Sequence, residues 1–396
     1  MKSLKKLLCT LATGSFLITG CSAEESAIDG PRIYPSPNPP EHRLVMGIAN
    51  GQQEVTVAHG AQIKVFGGVL AKVTLTAADG TAVAGALSPD KTEWVPARPL
   101  SHGSRYHLSV MAKYTDGSEE SREVSFTTLS QADALQVRHT PDDGSTVGVG
   151  MPISLTFDKP VVNKRSVERA IKVSSSSGQE VVGHWFSSQR LDLRPEHYWK
   201  AHSNVTLRIE LEGVRAAEQA IGEENRTVQF TIGRRQVSTV DASARTMTVT
   251  RNDRVLRTLR VTAGSPASPT WNGQMVISEK LESTRMNGAT VGFDGEYDIP
   301  DVPHAMRLST SGTFVHGNYW ASDGVFGNQN VSHGCIGLND AKGGKDGQQD
   351  AAWLFRNSMI GDVIVVKNST DRRIAPDNGL NGWNMSWKRW KAGSAA

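Results

Sequence analysis

Short runs in which apolar and polar residues alternate, each closed by a turn, recur along most of the chain and constrain its fold more than any other feature. Glu54-Val-Thr-Val, Lys72-Val-Thr-Leu-Thr and Glu123-Val-Ser-Phe-Thr alternate, and Ala78-Asp-Gly and Thr115-Asp-Gly separate such runs. Successive side chains of a strand point to opposite faces, so this period predicts strands with one buried face. A second stretch repeats the plan. Pro141-Asp-Asp-Gly opens it, Ile153-Ser-Leu-Thr-Phe and Val205-Thr-Leu-Arg-Ile alternate within it, and Val228-Gln-Phe-Thr-Ile closes it.

Residues 42–128 and 129–233 have the lengths and turn spacings of two tandem immunoglobulin-like β-sandwiches, although neither carries the cysteine pair of antibody domains. Residues 234–368 form a third, β-rich segment. It opens with Gln236-Val-Ser-Thr-Val and Thr246-Met-Thr-Val-Thr, passes through a glycine-rich middle, and ends with Val-Ile-Val-Val after Asp362. One helix is predicted near residues 348–358, where Ala351, Ala352, Leu354 and Phe355 make an apolar stripe. In residues 369–396, Trp383, Trp387 and Trp390 have the spacing of one helical face and are expected to pack on the body of the protein. The fold class is mainly β.

The N-terminus has its own signals. Lys2, Lys5 and Lys6 precede an apolar run over residues 7–18, the layout of a signal peptide in residues 1–20. The run ends in Leu17-Ile-Thr-Gly-Cys21, which resembles a bacterial lipobox. Cleavage before Cys21 would remove Cys9 and leave Cys21 lipidated, anchoring an exported protein to the outer face of the membrane. Residues 21–41, with Pro31, Pro35, Pro37, Pro39 and Pro40, read as an extended tether. The formal charge of +3 equals the charge of those three lysines, so the remainder is neutral and nucleic-acid binding has no global electrostatic support. Seven arginines between Arg234 and Arg260 are a local excess, expected on solvated strand faces.

On this reading one thiol is left, in Ser332-His-Gly-Cys335. A cysteine attacks as its thiolate and needs a nearby base or cation. His333, two residues away, shares its face in an extended chain, whereas His316 must arrive across a neighbouring strand. Either histidine could serve. The amides of Gly334 and Cys335 are natural donors to an oxyanion. One cysteine and two histidines without paired spacing do not make a metal site, and no cofactor is expected.

His316-Gly317, fourteen intervening residues and then Ser332-His333-Gly334-Cys335 resemble the signature of L,D-transpeptidases with the YkuD fold. The opening hairpin from Val237 and the tail Gly379-Leu-Asn-Gly-Trp-Asn-Met-Ser-Trp387 resemble those of multidomain members with two immunoglobulin-like domains. The resemblance implies that Cys335 is the nucleophile and His316 the base, oriented by the carbonyl of Gly317. Ser332 and His333 would shape the site, and the amides of His333, Gly334 and Cys335 would face the oxyanion. Tyr297, Ser311, Gly312 and Trp320 fall where the family lines its donor groove, and Gly337 stands where many members carry Asn or Arg. The implied reaction forms 3→3 cross-links between peptidoglycan stem peptides through a thioester, releasing D-Ala, and carbapenems would acylate the same thiol. An L,D-carboxypeptidase using that thioester, or a non-catalytic wall-binding lipoprotein, are the alternatives. The segment Gly343-Gly-Lys-Asp-Gly347 is extra loop with no assigned role.

Overall fold

The computed structural model describes residues 42–290 and 295–396; the expected signal peptide, Cys21 and tether lie outside the described residues. In the first segment two four-stranded sheets face each other. One contains Arg43–Met46, Ile63–Phe66, Glu93–Pro96 and Gly85–Leu87, the other Ala82–Val83, Gly68–Ala77, Arg105–Tyr114 and Glu119–Thr127. Arg105–Tyr114 shows why. Tyr106, Leu108, Val110, Ala112 and Tyr114 are buried and the residues between them are not, so one face of the strand enters a core shared with Ile63, Val65 and Trp94 of the other sheet.

The second segment repeats the arrangement, with Val137–Thr140, Ile153–Phe157, Arg190–Pro195 and Val181–Trp185 in one sheet. Thr146–Val147, Asn225–Ile232, Asn204–Glu210 and Ile171–Ser175 form the other. Polar contacts join the two sandwiches. Thr56 Oγ1 donates to Glu212 Oε1 at 2.8 Å, His102 Nε2 lies 2.7 Å from Glu223 Oε1, and Arg215 pairs with Glu54.

Among the described residues, nine strands build the third segment: β1 Gln236–Asp241, β2 Thr246–Arg251, β3 Arg254–Thr262, β4 Gly273–Val276, β5 Glu279–Asn287, β6 Asp298–Arg307, β7 Phe314–Asn318, β8 Ile336–Asn339 and β9 Val363–Lys367. Their order in the sheet is β4-β9-β1-β2-β3-β8-β7-β6-β5. Strands β7 and β8 are parallel, so the connection between them must cross over, and it carries Trp320 to Cys335. The helix α1 spans Asp350–Asn357 and buries Ala351, Ala352, Leu354 and Phe355, the stripe expected of it. Strand β6 ends at Arg307, and a turn intervenes before β7.

The tail differs from the single helical face expected. Trp383 sits in a 3-10 turn, Gly382–Asn384, and Trp387 and Trp390 lie on a separate helix, α2 Trp387–Lys391, because Ser386 is extended and caps it by accepting from Arg389 N–H. The three rings nevertheless converge on Arg194 of the second sandwich, whose guanidinium carbon lies 4.7, 5.3 and 4.3 Å from their centroids. Both terminal nitrogens of Arg194 also donate, to the carbonyls of Pro195, Glu196, Gly382 and Met385, which offsets part of the cost of burying the cation. Val276 and Trp383 complete the core of the second sandwich, which is thus continuous with the third segment. The arginines of residues 234–260 are partly absorbed in structure: Arg234 makes a bidentate pair with Asp362, Arg235 pairs with Asp253 and Arg257 with Asp350.

Candidate active site

The parallel register sets the site. His316 lies opposite Gly337 and Val315 opposite Ile336, which brings Phe314 level with Cys335, just before β8. His316 and Phe314 share one face of β7, so Cys335 and His316 face the same side, two residues apart along the strands. Both line a cavity of about 260 Å³ with Met286, Tyr297, Ile299, Asn318, Trp320, Ala321, Val331, Ser332 and His333.

His316 is buried, and its Nδ1 lies 2.8 Å from Gly317 O. A carbonyl only accepts, so Nδ1 carries the proton and Nε2 is the basic nitrogen. Trp320 stacks on the ring at 5.7 Å with 15° between planes, although Trp320 is itself 44% exposed. Burial lowers the pKa of His316; the hydrogen bond to Gly317 and the charge of Asp340 act the other way. At Cys335, burial pushes the thiol up to about 11, opposed by the N–H of Phe314. Burial thus works against both charged forms, and the proton moves from thiol to imidazole as the nucleophile attacks.

The Sγ atom accepts from Phe314 N–H at 3.4 Å and lies 3.6 Å from Gly312 O. Among the described residues no hydrogen bond links it to His316. One rotation about χ1 separates this rotamer from others the thiol can adopt.

Ser332 Oγ donates to Cys335 O at 2.6 Å and accepts from Gly334 N–H at 3.2 Å, closing the turn that presents the thiol. Gly334 has φ of 110°, a conformation glycine adopts without strain. Its amide is turned to Ser332, so it is already engaged, unlike the free oxyanion donor expected of it. His333 is more exposed than His316; its Nε2 lies 3.0 Å from Glu296 Oε2 and its ring 4.9 Å from that of Tyr297. That environment places it on the cavity rim.

Of the remaining expected groove residues, Tyr297 and Trp320 line the cavity. Ser311 and Gly312 lie below the thiol instead. Asn378 holds Ser311 through its amide N–H and its hydroxyl, and Gly312 offers its carbonyl to Sγ. Gly337 is beside the cavity wall rather than on it. A Cβ there would come within 2.9 Å of Thr262 Cγ2 and 3.4 Å of Asn318 Cβ, so a larger residue would have to displace Thr262 of β3. Asn318, two residues beyond His316 and on its face, belongs to the cavity but was not singled out; the period-two spacing was the available signal.

Residues 235–366 match the L,D-transpeptidase catalytic domain family (YkuD), and residues 52–215 match a bacterial Ig domain family. Over 358 residues, 89% of this chain and 85% of the relative, the sequence is 31% identical to L,D-transpeptidase 2 of Mycobacterium tuberculosis. The chain belongs to the L,D-transpeptidase family. L,D-transpeptidase 5 of the same organism is 28% identical over 364 residues, covering 90% of this chain and 78% of the relative. A solved structure of the L,D-transpeptidase LdtMt1 in complex with imipenem aligns with 59% of this chain and 99% of its own, at 31% identity and a TM-score of 0.49. The family's catalytic-domain match begins at the residue before β1 and ends within β9, so it encloses both His316 and Cys335.

Proposed function

We propose that this L,D-transpeptidase forms 3→3 peptidoglycan cross-links with Cys335 as nucleophile and His316 as its base. The observation that carries the reading is the pairing of β7 with β8, which puts a buried imidazole with a free Nε2 and a single thiol into one cavity. Sγ attacks the carbonyl of the third stem residue, a diamino acid, as His316 Nε2 takes the thiol proton. The tetrahedral intermediate then breaks its C–N bond, His316 returns the proton to the leaving amine, and D-Ala departs. The side-chain amine of a second stem attacks the thioester, its proton passes to His316, and the sulfur leaves and is reprotonated. The apolar rim formed by Met286, Ile299 and Val331 limits water at the thioester, which favours the amine as acceptor.

Product analysis tests this. Incubation with tetrapeptide stems should give cross-linked dimers with loss of D-Ala; tripeptide as the sole product would assign a hydrolase. The same reading places the protein outside the membrane, lipidated at Cys21. A fatty-acid probe should label the wild type and not Cys21→Ala, and label on the variant would refute the anchor.

A further inference from the structure

Behind His316, on the side away from the cavity, lies a second imidazole–carboxylate pair with no part in the reaction as described. Asp340 follows β8 directly, and its Oδ2 lies 2.7 Å from His304 Nδ1 on β6; both residues are buried. The carboxylate packs against Gly317, so closely that a Cβ on Gly317 would be 2.0 Å from Asp340 Oδ2. That contact explains the glycine. Gly317 is the residue whose carbonyl receives His316 Nδ1–H, so Asp340, Gly317 and His316 form a continuous stack from β8 into the cavity.

The glycine-rich loop closes this pair from outside. Its 3-10 turn Lys342–Gly344 begins two residues after Asp340, and a Cβ on Gly344 would meet His304 Cε1 at 3.0 Å and Pro303 Cβ at 3.3 Å. Loop and imidazole are therefore in contact, and only glycine allows it. Asp340 Oδ1 also accepts from Ala341 N–H at 2.8 Å, which ties the carboxylate to the base of the loop.

We propose that Asp340, held by His304 and covered by the loop 342–347, is a positioning residue for His316: it fixes the Gly317 peptide whose carbonyl keeps the imidazole oriented toward Cys335. The inference rests on the reading of His316 as base. In addition the carboxylate supplies negative charge near the imidazolium that forms during attack, as a buried carboxylate does for other catalytic histidines. The ionisable groups around His316 include Asp340 behind it and Cys335, Tyr297 and His333 in the cavity, with His304 behind Asp340 and Glu282 of β5 at 3.9 Å from His304 Nε2. Asp340 is the anion whose charge favours the protonated form of His316.

The experiment compares wild type, Asp340→Asn and Asp340→Ala by the rate of acylation with imipenem, read by intact mass, and by NMR titration of the His316 ring. Asp340→Asn keeps an acceptor for His304 but loses the charge. It should acylate about tenfold more slowly, and His316 should titrate at lower pH than in wild type. Asp340→Ala should lose more, about a hundredfold; if it does not fold, Asp340→Asn alone decides. A wild-type rate, or an unmoved His316 titration, in Asp340→Asn overturns the proposal. His316→Ala is run alongside: normal acylation there would sink the base assignment itself, a separate result from a silent Asp340→Asn.

Discussion

Phe314 and Cys335 are joined by a backbone-to-thiol hydrogen bond: the Phe314 N–H donates to Sγ at 3.4 Å, which parks the nucleophile beside the turn that precedes β7. This bond and the nearby Gly312 carbonyl, 3.6 Å from Sγ, hold the thiol in its present rotamer. Cys335→Ala should abolish both cross-linking and the carbapenem adduct while leaving the thermal transition within a few degrees of wild type. An adduct of unchanged mass on the variant would place the chemistry elsewhere.

The two pKa directions set a pH profile. His316 is active as base only when neutral, and burial lowers its pKa below the usual 6.5, so carbapenem acylation should stay level through neutrality and fall only as pH drops below that range. Iodoacetamide needs thiolate, so its reaction with Cys335 should keep climbing toward about pH 11. Alkylation that levels off near pH 7 would instead mark a resting ion pair.

The two histidines should separate cleanly. His316→Ala removes the general base and is expected to slow acylation by about a hundredfold or more. His333→Ala changes a rim residue paired with Glu296 and should cost about tenfold at most, mainly in KM. The opposite order in a steady-state comparison would reassign the base.

Truncation should distinguish the two sandwiches. The second shares its core with Val276 and Trp383, accepts Trp383 Nε1–H on Gly150 O at 2.7 Å, and grips the strap over residues 377–379 through Arg190. A chain beginning at Arg234 should therefore lose stability, by about 3 kcal/mol or more from exposing those two side chains alone. A chain beginning near Leu129 should keep wild-type acylation, because the first sandwich is attached through polar contacts such as Thr56 to Glu212. Chemical denaturation and intact mass read both outcomes, and an Arg234 chain as stable as the full protein would show that the sandwich is only a spacer.

Much of the site was legible because its parts are local. Ser332-His-Gly-Cys is a turn whose serine and glycine act on neighbours two or three residues away, and the period-two runs of the sandwiches state which faces are buried, as Arg105–Tyr114 illustrates. Spacing also predicted a helix near residues 348–358, which the structure forms over Asp350–Asn357. The tryptophan spacing misled because it cannot register the break at Ser386, a capping residue that starts a new helix.

By itself, then, the sequence determined the β-rich class, the residues able to do the chemistry and the turn that presents the thiol, since propensity, periodicity and short-range hydrogen bonding act within a few residues. Tertiary structure alone decided which histidine is buried beside the thiol on a neighbouring strand, because that depends on β7 lying parallel to β8 across an intervening crossover. It also decided that burial works against both the thiolate and the imidazolium, since burial is a property of everything packed around them. The same is true of Gly317: the sequence shows a glycine, and only the carboxylate of Asp340, twenty-three residues later and pressed against its Cα, supplies the reason that no side chain fits there.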